Sequence, residues 1–193
     1  RDNEWLWARV LDLGAQALCA ACEGGHLNIL EAMFTTHSDR GLKKEAARLA
    51  KLKKSAAATV KIDSDDKTPF ICACEAGSVE CAAFIRQYIS EKDSKITVEG
   101  KTALHLAVGT KQRHEFTVGE NMAAICEYLV TKCNFKVDVK TSDMKQTALH
   151  TVLNEHMKPG EDQPCDVETL DGYVLETAKM LVKMGGSLEA KDD

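Results

Sequence analysis

The sequence predicts an all-α fold: a solenoid of stacked helix-turn-helix hairpins with short β-turn fingers and irregular insertions. Three observations carry that expectation. Thr102-Ala103-Leu104-His105 and Thr147-Ala148-Leu149-His150 are the same tetrapeptide 45 positions apart, and Thr68-Pro69-Phe70-Ile71 is a looser copy 34 positions before Thr102. Recurrence at this spacing marks a unit too small to bury its own apolar face, so neighbouring units must stack. Hydrophobic residues make up 44% of the chain and aromatics only 5%, so alanine and leucine carry the core and favour close-packed helices over a β-sandwich. Only 3 prolines occur among 193 residues, which leaves long helical stretches open.

Residues 1–14 read as a helix that caps the array or closes a preceding repeat, with Trp5 and Trp7 supplying area to cover an apolar end. Residues 16–34 form repeat 1. Its first helix ends at Gly25, and Leu27, Ile29, Leu30, Met33 and Phe34 line the second. Residues 35–62 are a helical insertion. Within it, Gly41 to Lys54 is a basic amphipathic helix with Leu42, Ala46, Leu49 and Leu52 on one stripe. Docking of that stripe on the solenoid is the plainer reading. A nuclear-import patch, an acidic-partner site and a membrane-surface helix are the functional ones.

Residues 63–96 form repeat 2. Thr68 caps the first helix and Pro69 fits its first turn. Phe70, Ala73 and Cys74 face inward, and Gly77 ends the helix by tolerating the left-handed conformation. Val79, Ala82, Phe84, Ile85 and Ile89 make the second helix apolar. Residues 97–140 are repeat 3, with a first helix over Thr102 to Val108 and Met122, Ile125, Cys126, Leu129 and Val130 on the second. Residues 141–188 are repeat 4, with Thr147 to Leu153 first and Ala178, Met180, Leu181 and Val182 on the second. Segments 109–121 and 154–173 read as lengthened connections inside these two hairpins, and 189–193 as the start of a further finger.

The Thr-x-x-His openings, the small residues after them, the Gly-His step at Gly25-His26 and the apolar second helices together resemble the ankyrin repeat. The resemblance covers 16–34, 67–90, 100–140 and 145–193. Asp66 stands where that family carries its finger glycine, and the insertions make the array irregular. The close at Leu181 to Asp192 resembles the end of one repeat and the start of the next, and the chain opens on Arg1. A fragment of a longer array is therefore expected. The resemblance implies that His105 and His150 hydrogen-bond neighbouring backbone and tie one repeat to the next. It also implies a concave face built from the first helices and from fingers near 63–67, 97–101, 141–146 and 189–193.

Net charge is −5, so no nucleic-acid partner is expected. No run of 18 apolar residues exists, so no membrane span is expected. The 8 cysteines, at 19, 22, 72, 74, 81, 126, 133 and 165, sit mostly in helical stretches and read as reduced thiols of a cytoplasmic or nuclear protein. Cys19-x-x-Cys22 and Cys72-x-Cys74 have a zinc reading, but they occupy small-residue helix positions where a thiol packs as a small hydrophobe. No metal and no cofactor is expected. Gly24-Gly25 and Gly185-Gly186 lack the phosphate-loop patterns and fall at helix ends. Residues 158–166 read as a solvated loop.

No serine or cysteine nucleophile stands at a supporting spacing from a base and a carboxylate, so no catalytic role is expected. The function expected from the resemblance is a protein-protein interaction module: a scaffold, adaptor or inhibitor. Its partner-binding residues are Asp65, Asp66, Lys67, Glu75, Glu99, Lys101, Asp143, Met144 and Gln146. Ala76, Thr110, Asn154 and Glu155 are expected on the same side. Two alternatives remain open at this stage: the substrate-recognition arm of a larger enzyme such as a ubiquitin ligase, and an inhibitor of a Rel-type transcription factor.

Overall fold

The computed structural model describes residues 16–34, 67–95, 97–109, 118–156 and 167–187. The expected cap 1–14, the basic helix 41–54, Asp65, Asp66, Thr110, the loop 158–166 with Cys165, and the finger 189–193 lie outside the described residues. The described residues are mainly helical and include no strand; Val98 and Lys101 form an isolated bridge. No described helix is long and apolar enough to cross a membrane.

The helices are α1 (16–23), α2 (Leu27–Phe34), α3 (Pro69–Glu75), α4 (Val79–Arg86), α5 (Glu91–Ser94), α6 (Ala103–Gly109), α7 (Val118–Thr131), α8 (Ala148–His156) and α9 (Val167–Lys183). They fall into two compact units. The first takes the described residues up to Ala73 together with Glu80–Ser94, and the second takes Cys74–Val79 and everything described from Lys95 onward.

In the first unit, α1 buries Leu18, Cys19, Ala21 and Cys22, and α2 buries Leu30. The spacings of three and four residues on α1 put one apolar stripe on that helix. Gly25 closes the end of α1 at φ 66, and the His26 N–H reaches back to the Ala21 carbonyl at 2.9 Å. That bond satisfies a carbonyl the helix leaves unpaired, and it needs a left-handed residue before it. The matching glycine of the next hairpin, Gly77 in the second unit, has φ 68, as its place in the repeat predicts. Thr68 caps α3, its hydroxyl accepting the Ile71 N–H at 3.3 Å. Phe70, Ile71, Cys72 and Ala73 are each at most 1% exposed. Burial of a large apolar side chain such as Phe70 contributes about 1.5–3 kcal/mol. Phe34, Phe84 and Tyr88 form a trio with ring centroids 4.3–5.3 Å apart.

Helix α5 was not expected. Ser90 and Asp93 form a reciprocal cap, the Ser90 hydroxyl donating to the carboxylate at 2.6 Å and accepting the Asp93 N–H at 3.1 Å. The Ser-x-x-acid spacing at 90–93 is a legible signal for a short helix start.

The second unit contains two complete hairpins. Helix α6 packs on α7 and α8 on α9, while α6 also packs on α8 and α7 on α9. First helices thus layer on first helices, and second on second. Ala103, Leu104, Ala107 and Val108 meet the core from α6, and Ile125, Cys126 and Leu129 from α7. Leu149 and Val152 do so from α8, and Leu181 from α9.

The expected long connections are shorter than the sequence reading drew them. Helix α7 begins at Val118 and takes part of 109–121, while α8 runs to His156 and α9 starts at Val167, taking both ends of 154–173. No proline falls within Ala148–His156 or Val167–Lys183, so the sequence interrupts neither helix.

Candidate functional site

Two turns of the second unit lie side by side. Val98 and Lys101 exchange both backbone hydrogen bonds, at 3.0 and 2.9 Å, around Glu99 and Gly100. Both central residues are left-handed, with φ 50 and φ 73. That is the type I′ geometry, whose twist suits a two-residue hairpin. The second turn runs from Thr141 to Gln146. The Thr141 N–H donates to the Gln146 carbonyl at 2.8 Å, and the Gln146 N–H returns to the Thr141 hydroxyl at 3.1 Å.

The turns are joined directly. The Ser142 N–H donates to the Gly100 carbonyl at 3.2 Å. A Cβ at position 100 would collide with Ser142 Oγ, so both the backbone angle and the close approach call for glycine there.

His105 braces the pair from beneath. Its Nε2 lies 3.0 Å from the Gln146 carbonyl, 41 residues away in sequence. A carbonyl only accepts, so Nε2 carries the proton. Nδ1 then accepts from the Thr102 hydroxyl at 2.8 Å and from its N–H at 3.3 Å. The neutral ring thus has both nitrogens satisfied. Burial, opposed by the carbonyls of Gln146 and Val139, holds its pKa below the usual histidine value, and Lys101 adds to the depression. The tie implied by the repeat resemblance is thus present at His105. His150 repeats the local half, with Nδ1 2.7 Å from the Thr147 hydroxyl.

The turn tips are the exposed part. Glu99 and Asp143 are exposed, and Met144 is 64% exposed. The Met144 N–H and the Thr141 hydroxyl hold the Asp143 carboxyl below the usual carboxylate range. Lys101 and Gln146 are half-buried behind the tips, and the Gln146 backbone is taken up by the turn and by His105. Of the nine expected partner-binding residues, these five belong to the paired turns. Lys67 and Glu75 are half-buried and already engaged within the chain. Asp65 and Asp66 lie outside the described residues, Asn154 is exposed, and Ala76 is half-buried. Sequence reasoning missed Ser142 and Lys145. Lys145 is exposed at φ 54, a conformation lysine does not advertise, and the role of Ser142 depends on Gly100 in the other turn.

The seven described cysteines are buried. Cys19 shares a thiol hydrogen bond with Cys72, and that bond together with burial pushes the Cys19 thiol well up. Burial pushes Cys22 up, and Cys126 to about 12. Thiols held protonated in this way are poor nucleophiles and poor metal ligands. Among the described residues, no group of three or more Cys, His, Asp and Glu side chains is placed to hold a metal ion.

The chain matches no family model and no curated protein.

Proposed function

We propose that the chain is an ankyrin-type interaction module that binds a partner protein along the paired turns of its second unit. The observation that carries this reading is the Ser142 N–H to Gly100 carbonyl bond. It makes two neighbouring turns one surface, with Glu99, Asp143 and Met144 at the tips. The layering of first helix on first helix, and the repeated Thr-x-x-His openings, support the repeat assignment.

A preorganised surface loses little conformational entropy on binding, so its contacts convert efficiently to affinity. The tips offer one acid on each turn and an apolar knob. Their side chains are not needed by the core, which leaves them available for recognition. A few such residues dominate the energetics of an interface of ordinary size.

The test is a triple change, Glu99→Lys, Asp143→Lys and Met144→Glu, in a protein whose circular dichroism and melting temperature match the parent. Crosslinking and mass spectrometry from cell extract should show partner recovery falling about tenfold or more. Recovery equal to that of the parent would remove the turns from the binding face.

A further inference from the structure

We infer that Cys19 and Cys72 form a redox latch: oxidation by a peroxide joins them in a disulfide that fastens α1 to α3. The pair lies within the first unit, and the inference does not rest on the function proposed above.

Cys19 of α1 and Cys72 of α3 share a thiol hydrogen bond, and both side chains are at most 2% exposed. They belong to consecutive hairpins and lie 53 positions apart in the chain. Two thiols already in contact need little side-chain motion to reach disulfide geometry. Cys22, one turn further along α1, interacts with Cys81 and Cys72 through charge, whereas the thiol bonded to Cys72 is that of Cys19.

The place of Cys19 in its hairpin is an independent sign. Cys19 stands six residues before the turn glycine Gly25, and Ile71 stands six before Gly77. Ile71 closes the Thr68-Pro69-Phe70-Ile71 opening as His105 closes Thr102-Ala103-Leu104-His105. Cys19 therefore holds the position of His105, whose ring reaches forward to the Gln146 carbonyl. In the first hairpin the same position also reaches forward, to Cys72. There it carries a group that can exchange its hydrogen bond for a covalent one.

The chemistry balances with hydrogen peroxide as the oxidant. One thiolate sulfur attacks a peroxide oxygen, the O–O bond breaks, and a sulfenic acid and one water result. The second sulfur then attacks the sulfenic sulfur. The S–S bond forms as the S–O bond breaks, and the hydroxyl leaves with the second thiol's proton as another water. Two thiols lose two electrons and the peroxide gains them. The first step needs a thiolate in reach of the oxidant. In the closed unit, burial shuts the peroxide out and the Cys72 hydrogen bond keeps the Cys19 thiol protonated. The pair is therefore oxidised when α1 lifts from α3, and the bond forms as they repack. Once buried again, it holds the two helices against the next opening.

The test uses the full chain, reduced and then held with about 1 mM hydrogen peroxide, alkylated in denaturant and mapped without reductant. Cys19–Cys72 should be the main linked pair. The linked protein should melt about 5–15 °C above the reduced one, and reduction should remove the difference. In about 1 M urea the linkage rate should rise about threefold or more, because the reaction passes through opening. Cys19→Ala and Cys72→Ala should each abolish the link and the melting shift, while Cys22→Ala should keep both. No linkage in the parent chain would overturn the inference. So would a main link through Cys22 or Cys81, a linked protein that melts no higher than the reduced one, or a rate indifferent to urea.

Discussion

The first unit buries Phe70, Ile71, Leu30 and Ile85 with the thiols of Cys19, Cys22, Cys72 and Cys81 and only the hydroxyls of Thr68 and Ser94, whereas the second, besides its aliphatic side chains and thiols, buries six hydroxyl and imidazole groups: Thr102, His105, Thr141, Thr147, Thr151 and Thr177. Apolar and thiol contacts reward density and are indifferent to direction. They hold layers together without fixing how a distant loop sits. Hydroxyl and imidazole groups reward only particular geometries, because an unpartnered one costs more than it contributes. The paired turns lie in the unit with the directional interior. The difference teaches that turn geometry here is specified by buried polar ties, and layer cohesion by volume.

The comparison breaks most visibly at Phe70. Phe70→Ala should cost about 3–5 kcal/mol of unfolding free energy by urea denaturation. A loss under about 1 kcal/mol would mean that packing is not what secures the first unit.

Gly100→Ala attacks the other mode. It places a side chain at φ 73 and against Ser142, for a loss of about 2 kcal/mol. The specific readout is hydrogen exchange at the Ser142 amide, which should quicken while amides of α1 do not. Equal change at both places would deny the turns their separate brace.

His105 sharpens the contrast through pH. Its folded pKa lies below the ordinary value of 6.5, so the unfolded chain takes up the proton first as pH falls. Its contribution is fully present above about pH 6.5 and is lost as pH drops below that value and through the depressed folded pKa. His105→Gln should be less stable at pH 7.5 by about 1–3 kcal/mol and should show a flatter stability slope between pH 6.5 and pH 4.5. An unchanged slope would mean the ring does not titrate as its hydrogen bonds demand.

Thr177 should go the other way. Its hydroxyl is buried without a hydrogen-bond partner, so Thr177→Val is expected to raise stability by about 1 kcal/mol, read from the denaturation midpoint. A loss of that size would place a bound water on the hydroxyl. The smallest expected effect is a non-event: Cys126, buried with its thiol at about 12, should escape iodoacetamide at pH 8 in the native protein and react only after unfolding. Peptide mass mapping distinguishes the two.

Much of the fold was legible where a signal is local. Gly25 and Gly77 mark hairpin turns because only a left-handed residue closes those helix ends, and both have positive φ. Thr68, Thr102 and Thr147 announce helix starts; the Thr68 and Thr147 hydroxyls accept backbone N–H groups there, and the Thr102 hydroxyl donates to His105 Nδ1. The ends of α7, α8 and α9 differ from the sequence reading because helix also takes residues 118–121, 154–156 and 167–173, where no proline interrupts it. The candidate site was legible in part. Residues 97–101 and 141–146 could be named as turns, but nothing local showed that Glu75 would be engaged within the chain or that Ser142 would meet Gly100.

Residue order alone therefore determined which stretches coil, where the helices closed by Gly25 and Gly77 stop, and which side of a helix is apolar. Those outcomes depend on hydrogen bonds and side-chain spacing within a few residues. Only the tertiary structure decided that His105 clasps Gln146 and that Cys19 faces Cys72. Such contacts join residues far apart in the chain, and their geometry exists only once the helices have packed.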